Sequence, residues 1–494
     1  MSVQTLQRFS LQSIAKDIIV SSDNSSVEDF HRYKYVLGPF DGLNSDLIQE
    51  LLNIICEKKQ LKVYHLHVLL HSSIKHLDLS VCNSVINDQI LNTLAYRCKK
   101  LVQLSLKNCS RLSTKALKQI PRNLLCIESI NLSGCLSCAD DVLDAFGSAY
   151  PELKVLRVKS CSQITDKGID ALCGDDCNPR CRSLRDVSFT STSITSYGIT
   201  KLLLTQPALK SCSLAMTASK DTCIFSLVNG TRRRLPLAVI DLSYTSVSDT
   251  SVKCLCEACP LLREVAINCC ASITEVSLEY IATLRHLKVL NIAGNMQIKF
   301  SPYMRQFLKK SGNLLEVLDI SCMENSDCAV IGAWCRSLKC LIMADCQDIV
   351  GNYVQESTAQ ENNLRLSLAQ ACSKLNTLNL HGCKFAKNKS LLEHLLAILG
   401  DSLEIQKLDL SGIEGLTDAI LLQVIHSSNI SDLRSINLSR CSEVSVEPIY
   451  VLLDDFKSLK HLNLCHCQNI SLQDVENLRK KCRGCGVSLD IEWL

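Results

Sequence analysis

Apolar residues in this chain alternate between two periods. In residues 153–172, LKVLRVKSCSQITDKGIDAL, Leu153, Leu156 and Val158 carry a short strand-like run, and Cys161 follows three residues later. Ile164, Thr165 and Asp166 form a turn, after which Gly168, Ile169 and Leu172 open a helical period. The stretch therefore predicts a strand, a turn and a helix. One such unit cannot bury both its strand face and its helix face alone, so it needs a copy on each side.

The copies are present. Leu77-x-Leu79-x-x-Cys82, Leu104-x-Leu106-x-x-Cys109, Ile130-x-Leu132-x-x-Cys135 and Leu156-x-Val158-x-x-Cys161 recur about every 26 residues. Further strands are expected around Val187, Leu214, Leu242, Ile267, Ile292, Ile320, Met343, Leu380, Leu410, Leu438 and Leu464. That makes about 15 units, a leucine-rich-repeat period with insertions. The expected fold is α/β. It is a leucine-rich-repeat solenoid, or horseshoe, over residues 72–494, with parallel strands on the concave side and helices on the convex side. A small helical segment, 1–71, precedes it. VSLDIEWL from Val487 reads as one last strand, with Trp493 placed to cover the open edge.

One slot after each strand holds Cys82, Cys109, Cys135, Cys161, Cys270, Cys346, Cys383, Cys441 or Cys467. Thr192, Thr217, Thr245 and Asn295 replace cysteine in the middle units. A second cysteine often closes the helix, as at Cys98, Cys259, Cys335, Cys372 and Cys482. On the segments LDLSVCNSVINDQIL, INLSGC, CSQITDKGI and INLSRC, the chain resembles the cysteine-containing leucine-rich repeats of F-box/LRR proteins and their relatives. That likeness implies the fold and leaves the partner open.

The N-terminal segment predicts helices over Val3–Ile19 and Leu43–Ile55, the second capped by Asn44 or Ser45, and a third apolar stretch over Leu61–Leu70. A solenoid end must be covered, so these helices could be a cap. Thr5-Leu6-x-x-x-Ser10-x-x-x-Ile14 also resembles a BC box, the helix by which substrate receptors dock on elongin C. Leu6 would be the knob, Ser10 the small residue that permits close approach, and Ile14 the extension of the stripe. Leu43, Leu47 and Leu51 resemble a cullin box, with Asn44 where that box has proline. Two boxes ahead of leucine-rich repeats resemble the N-terminal half of Zyg-eleven and Zer-one type receptors of cullin-RING ubiquitin ligases. The competing adaptor is Skp-one, through a degenerate F-box.

Composition narrows the classes. Among 494 residues the net charge is +3, and 47% of residues are hydrophobic. No basic run supports a nucleic-acid footprint; Arg232-Arg233-Arg234 reads as a solvated loop. No apolar window is long enough for a membrane span. Thirty cysteines, many of them in one buried repeat slot, fit a reducing compartment, cytoplasm or nucleus. No cofactor is implied. Cys256-x-x-Cys259, Cys482-x-x-Cys485, the group Cys173, Cys177 and Cys181, and the nearby His65, His67 and His71 are candidate metal ligands by spacing or residue type. Repeat-position roles explain the first two better, and the others lack a complete ligand set. His466-Cys467 fails as a nucleophilic pair because Cys467 fills the buried slot. The chain carries no enzyme signature.

The expected function is the non-catalytic substrate-recognition subunit of a cullin-RING ubiquitin ligase. Elongin C or a Skp-one type adaptor and a cullin would be held by the N-terminal helices, and a protein substrate by the strand face. The alternative is a free-standing interaction scaffold or inhibitor. Alternation along each strand places Val239, Asp241, Glu264, Val289, Val317, Asp319 and Ile342 on the concave face, an apolar floor with carboxylates. Lys107, Arg157 and Lys159 face the same way in the early units, and the polar insertion 351–363 is a second candidate surface.

Overall fold

The computed structural model describes residues 3–23, 40–175, 178, 180–222, 224, 234–300, 302–349, 368–387, 390–399, 405–427, 432–455, 458–484 and 489–493. The insertion 351–363, Arg232, Arg233, Cys177 and Cys485 lie outside the described residues. The chain divides into two compact units, Met1–Thr245 and Ser246–Leu494.

The first unit opens with three helices, α1 (Val3–Asp23), α2 (Ser45–Glu57) and α3 (Val63–Leu69). Its strands are β1 (His76–Asp78), β2 (Gln103–Ser105), β3 (Ser129–Asn131), β4 (Val155–Arg157), β5 (Asp186–Ser188), β6 (Ser211–Ser213) and β7 (Val239–Asp241). Each pairs in parallel with the next, and the central residues stay in register from Leu77 through Leu104, Ile130, Leu156, Val187 and Cys212 to Ile240. The second unit contains β8 (Glu264–Ala266), β9 (Val289–Asn291), β10 (Val317–Asp319), β11 (Cys340–Ile342), β12 (Thr377–Asn379), β13 (Lys407–Asp409), β14 (Ser435–Asn437), β15 (His461–Asn463) and β16 (Asp490–Glu492), again parallel and in order. Parallel neighbours need a crossover, and the helical half of each repeat supplies it. The fold is α/β, built of leucine-rich repeats. The anticipated last strand is β16, and the Trp493 indole N–H donates to the Ile470 carbonyl at 3.2 Å.

The strands are only three residues long, and the chain turns sharply after each. From β6 onward the expected centres, such as Leu214 and Leu242, fall just past the strand end. The turn has a fixed mechanism. Three residues after the strand, a residue takes left-handed φ, as at Asn108, Gly134, Ser160, Ser191, Met216 and Tyr244 in the first unit. The slot residue comes next and donates to a backbone carbonyl. Cys135 Sγ reaches Leu106 O at 3.1 Å, Cys161 Sγ Leu132 O at 3.3 Å, and Cys467 Sγ Leu438 O at 3.1 Å. Thr192, Thr217 and Thr245 donate to Phe189, Leu214 and Leu242, and the Asn295 amide donates to both Ile267 and Ile292. The slot thus selects a small buried donor, which is why threonine and asparagine stand in for cysteine.

A second device ties consecutive repeats together. The Asp140 carboxylate accepts from Thr165 N–H at 2.7 Å and Thr165 Oγ1 at 2.6 Å, while that hydroxyl accepts from Lys167 N–H and caps its own helix. Asp88 holds Ser113, Asp166 holds Thr195, Asp249 holds Thr274 and Asp418 holds Ser445 in the same two-bond manner. A Cβ on Gly168 would stand 2.4 Å from Asp140 Oδ1, so glycine there makes room for the clasp. Bonds to a charged acceptor are stronger than neutral ones. Asp140→Ala should therefore cost about 2 kcal/mol in chemical denaturation, with the strand pairing retained.

Candidate partner-binding surfaces

The N-terminal helices separate two jobs. Helix α2 covers the open edge of β1. Ser45 Oγ accepts from Lys75 N–H at 2.9 Å and His76 N–H at 3.3 Å. One turn on, the Gln49 amide makes a pair of bonds with Asp78: its Oε1 accepts from the backbone N–H at 2.8 Å and its Nε2 donates to the carbonyl at 2.9 Å. These two side chains stand in for the strand that β1 lacks. Asn44 caps α2 by accepting from Leu47 N–H at 3.0 Å. Leu51, which sequence reading assigned to partner contact, is fully buried with Ile48, Leu52 and Ile55, so its apolar surface is spent on the core. Leu43 and Leu47 are half-buried.

Helix α1 packs on α2 and α3 and buries Leu11, Ala15, Ile18 and Ile19. Its other side is turned outward. Leu6 is 61% exposed and Phe9 54%, Ser10 is exposed beside them, and Ile14 is half-buried at the border. Ser10 Oγ donates to the Leu6 carbonyl at 3.1 Å. A hydroxyl satisfied within its own helix can be covered by a partner without leaving an unpaired donor.

On the strand face, the first and third residues of each strand are half-buried or exposed and the second is buried. Val239 and Asp241 lie on β7 in the first unit. In the second unit Val289, Val317 and Cys340 form one register row, and Asn291, Asp319 and Ile342 form another. Glu264 is exposed at the start of β8. The two aspartates have local duties that sequence reading missed. Asp319 Oδ1 accepts from Ser321 N–H at 3.0 Å, and Asp241 Oδ1 from Ser243 N–H at 3.1 Å. Asn131, Asn291, Asn379, Asp409, Asn437 and Asn463 bond the N–H two residues on in the same way. The recurring Asp or Asn at the strand end was the visible signal of this turn. Glu316 sits beside this face between Lys288 and Lys339, at 2.5 and 2.6 Å. Hydrogen bonds from the two ammonium groups hold its carboxyl down at about 2.

The other sequence candidates fall into structural roles. Among the described residues no group of three or more His, Cys, Asp or Glu side chains is placed to hold a metal ion. Cys256 and Cys259 are buried in or at the end of the helix Asp249–Ala258. His65 Nδ1 accepts from Lys62 N–H at the start of α3, and His71 Nδ1 pairs with Ser73 Oγ at 2.8 Å. His466 takes the left-handed turn position, and Cys467 beside it fills the slot.

Burial raises several slot thiols, whereas a hydrogen bond with the Cys138 side chain lowers Cys161. Cys109 and Cys135 are pushed up from near 9 to about 12, and Cys346 and Cys441 to about 11. Their stabilising contribution is present in full below the unfolded value near 9 and is lost as pH rises through the folded values of about 11 to 12. Stability in urea should fall steadily above pH 9, and slot thiols should resist alkylation until the chain is denatured.

Comparison with known proteins adds the following. No family model matches the chain. The mouse "NACHT, LRR and PYD domains-containing protein 4E" is 24% identical over 310 residues, 60% of this chain and 28% of the relative. The chain thus matches a little over a quarter of that relative's length. Among solved structures, the yeast Rad7 and Elc1 complex has a chain with a TM-score of 0.45 and 17% identity, with 96% of each chain covered. A Leptospira interrogans LRR protein has a TM-score of 0.40 and 14% identity, over 95% of this chain and 98% of that one. The chain is built of leucine-rich repeats. No helix among the described residues is long and apolar enough to cross a membrane.

Proposed function

We propose that this chain is a non-catalytic substrate-recognition subunit of a cullin-RING ubiquitin ligase, acting in the cytoplasm or nucleus. Helix α1 docks the adaptor, of elongin C type ahead of Skp-one type, and the strand face holds the protein to be modified. The observation that carries this reading is the outer face of α1. Leu6 is exposed on a helix whose opposite side is packed, and Ser10, one turn on, is small and already hydrogen-bonded. An apolar knob beside a small residue fits a helix-in-groove contact. Because α2 alone covers β1 through Ser45 and Gln49, the outer face of α1 is surplus to capping. Ubiquitin transfer would belong to other subunits.

The second reading, a free-standing scaffold or inhibitor, is favoured by the cap itself, since it gives the N-terminal helices a sufficient structural purpose. Affinity purification of the full chain from cell extract separates the two. Recovery of elongin B and C with a cullin supports the first reading, and recovery of Skp-one redirects it to the other adaptor. A chain recovered with neither adaptor supports the second.

A further inference from the structure

The left-handed position after each strand favours residues with little to lose there. In the first unit it holds asparagine at 108, glycine at 134 and serine at 160 and 191, and in the second unit glycine at 294, 382 and 412 and aspartate at 345, but also Cys269, Cys322, Arg440 and His466. Two consecutive repeats of the first unit break that habit. Met216 and Tyr244 adopt φ of 56° and 58°, and both side chains are 53% exposed. A bulky apolar residue in the left-handed region is strained, and the Ser191 hydroxyl donates to Met216 Sδ at 3.3 Å. Two large apolar side chains turned outward on neighbouring turns offer an apolar contact surface.

The face beside them has a consistent chemistry. From β5 to β7 the floor is mostly small and polar, with Val239 the apolar exception. Thr190 Oγ1 lies 3.3 Å from Ser188 Oγ and 2.7 Å from Ser213 Oγ, and Ser213 Oγ donates to Asp241 Oδ2 at 3.0 Å. The carboxylate can only accept, so the protons run from Ser188 to Thr190 to Ser213 to Asp241. All three hydroxyl protons are thereby used, and the lone pairs left over accept. Such a floor suits the N–H groups of an extended backbone. Toward β2 the face becomes basic. Lys107, Arg157 and Lys159 are exposed, Arg157 is paired with Asp186, and among the described residues Lys107 and Lys159 form no ion pair.

We infer that the strand face of β2–β7 binds an extended segment of a partner protein that places acidic side chains over Lys107 and Lys159 and one large apolar side chain against Met216 and Tyr244. Adjacent strands lie about 4.8 Å apart, so the span from β4 to β6 or β7 is about 10–14 Å. An extended chain rises about 3.3 Å per residue, which separates the acidic and apolar residues by about three or four positions. Tyrosine is a frequent anchor of protein interfaces, and the flexible thioether of methionine adapts to the facing surface. This inference rests on the protein-binding half of the reading above and is independent of adaptor docking, which uses α1.

The test uses the full chain and fluorescent peptides of Gly-Ser background carrying an Asp-Asp pair and one Phe. The gap between them is stepped through values below and above about four residues, and Lys-Lys versions serve as controls. Anisotropy should show the tightest binding at a gap of three or four, weakening as salt rises. The double change Met216→Gly and Tyr244→Gly should lower affinity at least about tenfold while leaving the melting temperature unchanged or raised, because glycine relieves the strained turns. Lys107→Glu with Lys159→Glu should weaken the Asp-Asp peptides and not the Lys-Lys ones. The inference is overturned if the Lys-Lys peptides bind as well as their acidic counterparts, if no gap is preferred, if affinity ignores the glycine pair, or if that pair lowers the melting temperature.

Discussion

Cys135→Asp should abolish cooperative folding of the first unit, whereas Cys135→Thr should be tolerated. Cys135 is 1% exposed and donates to the Leu106 carbonyl at 3.1 Å. An aspartate there would bury a carboxylate facing a carbonyl oxygen, with no counter-charge. That mechanism belongs to the most damaging class of substitution, on the order of 4 kcal/mol. In a repeat array the loss is passed to the neighbours, since each repeat is held by the adjacent ones. Threonine already occupies the slot at 192, 217 and 245, where it donates to the carbonyl three residues earlier in its own repeat, so its cost should stay within about 1 kcal/mol. Urea unfolding of both variants beside the parent checks the pair. Equal destabilisation by Asp and Thr would mean that volume, not hydrogen-bond donation, selects the slot residue.

The second large effect is on partner binding. Leu6→Arg should remove adaptor binding without altering the unfolding curve. Deleting a central apolar anchor commonly costs about 2 kcal/mol or more, roughly thirtyfold in affinity, and a charge in its place opposes docking further. Ser10→Arg should act in the same direction by blocking close approach, with its long side chain left in solvent in the free protein. Leu51→Ala is the contrast. Leu51 is wholly enclosed, so its loss should appear as about 3 kcal/mol of instability.

How far the sequence reaches follows from what each feature depends on. Repeat length, parallel order and strand–helix alternation are set by local periodicity, and they are legible in Leu77, Leu104, Ile130 and Leu156 alone. The slot pattern was also visible, but its meaning was not. Only the distance from Sγ, Oγ1 or Nδ2 to a carbonyl of the same or the preceding repeat shows that donation unites Cys135 with Thr217 and Asn295. The aspartate clasps were unreadable for a related reason, because Asp140 and Thr165 meet across a repeat boundary that periodicity does not resolve. Asp241 and Asp319 read as free carboxylates because a strand-end Asx turn and a surface charge share one alternation. The division of labour between α1 and α2 is likewise tertiary. Both helices have apolar stripes, and it is the two-bond contact of Gln49 with Asp78 that assigns capping to α2.

Adaptor docking is assigned to the exposed side of α1, which carries Leu6 and Ser10. The direct measurement is size-exclusion chromatography of the purified full chain mixed with purified elongin C bound to elongin B, with Skp-one in a parallel run. The account predicts a one-to-one complex with the elongin pair that disappears for Leu6→Arg and survives Met216→Gly with Tyr244→Gly. Separate elution from both adaptors, by a chain that melts cooperatively, would contradict it.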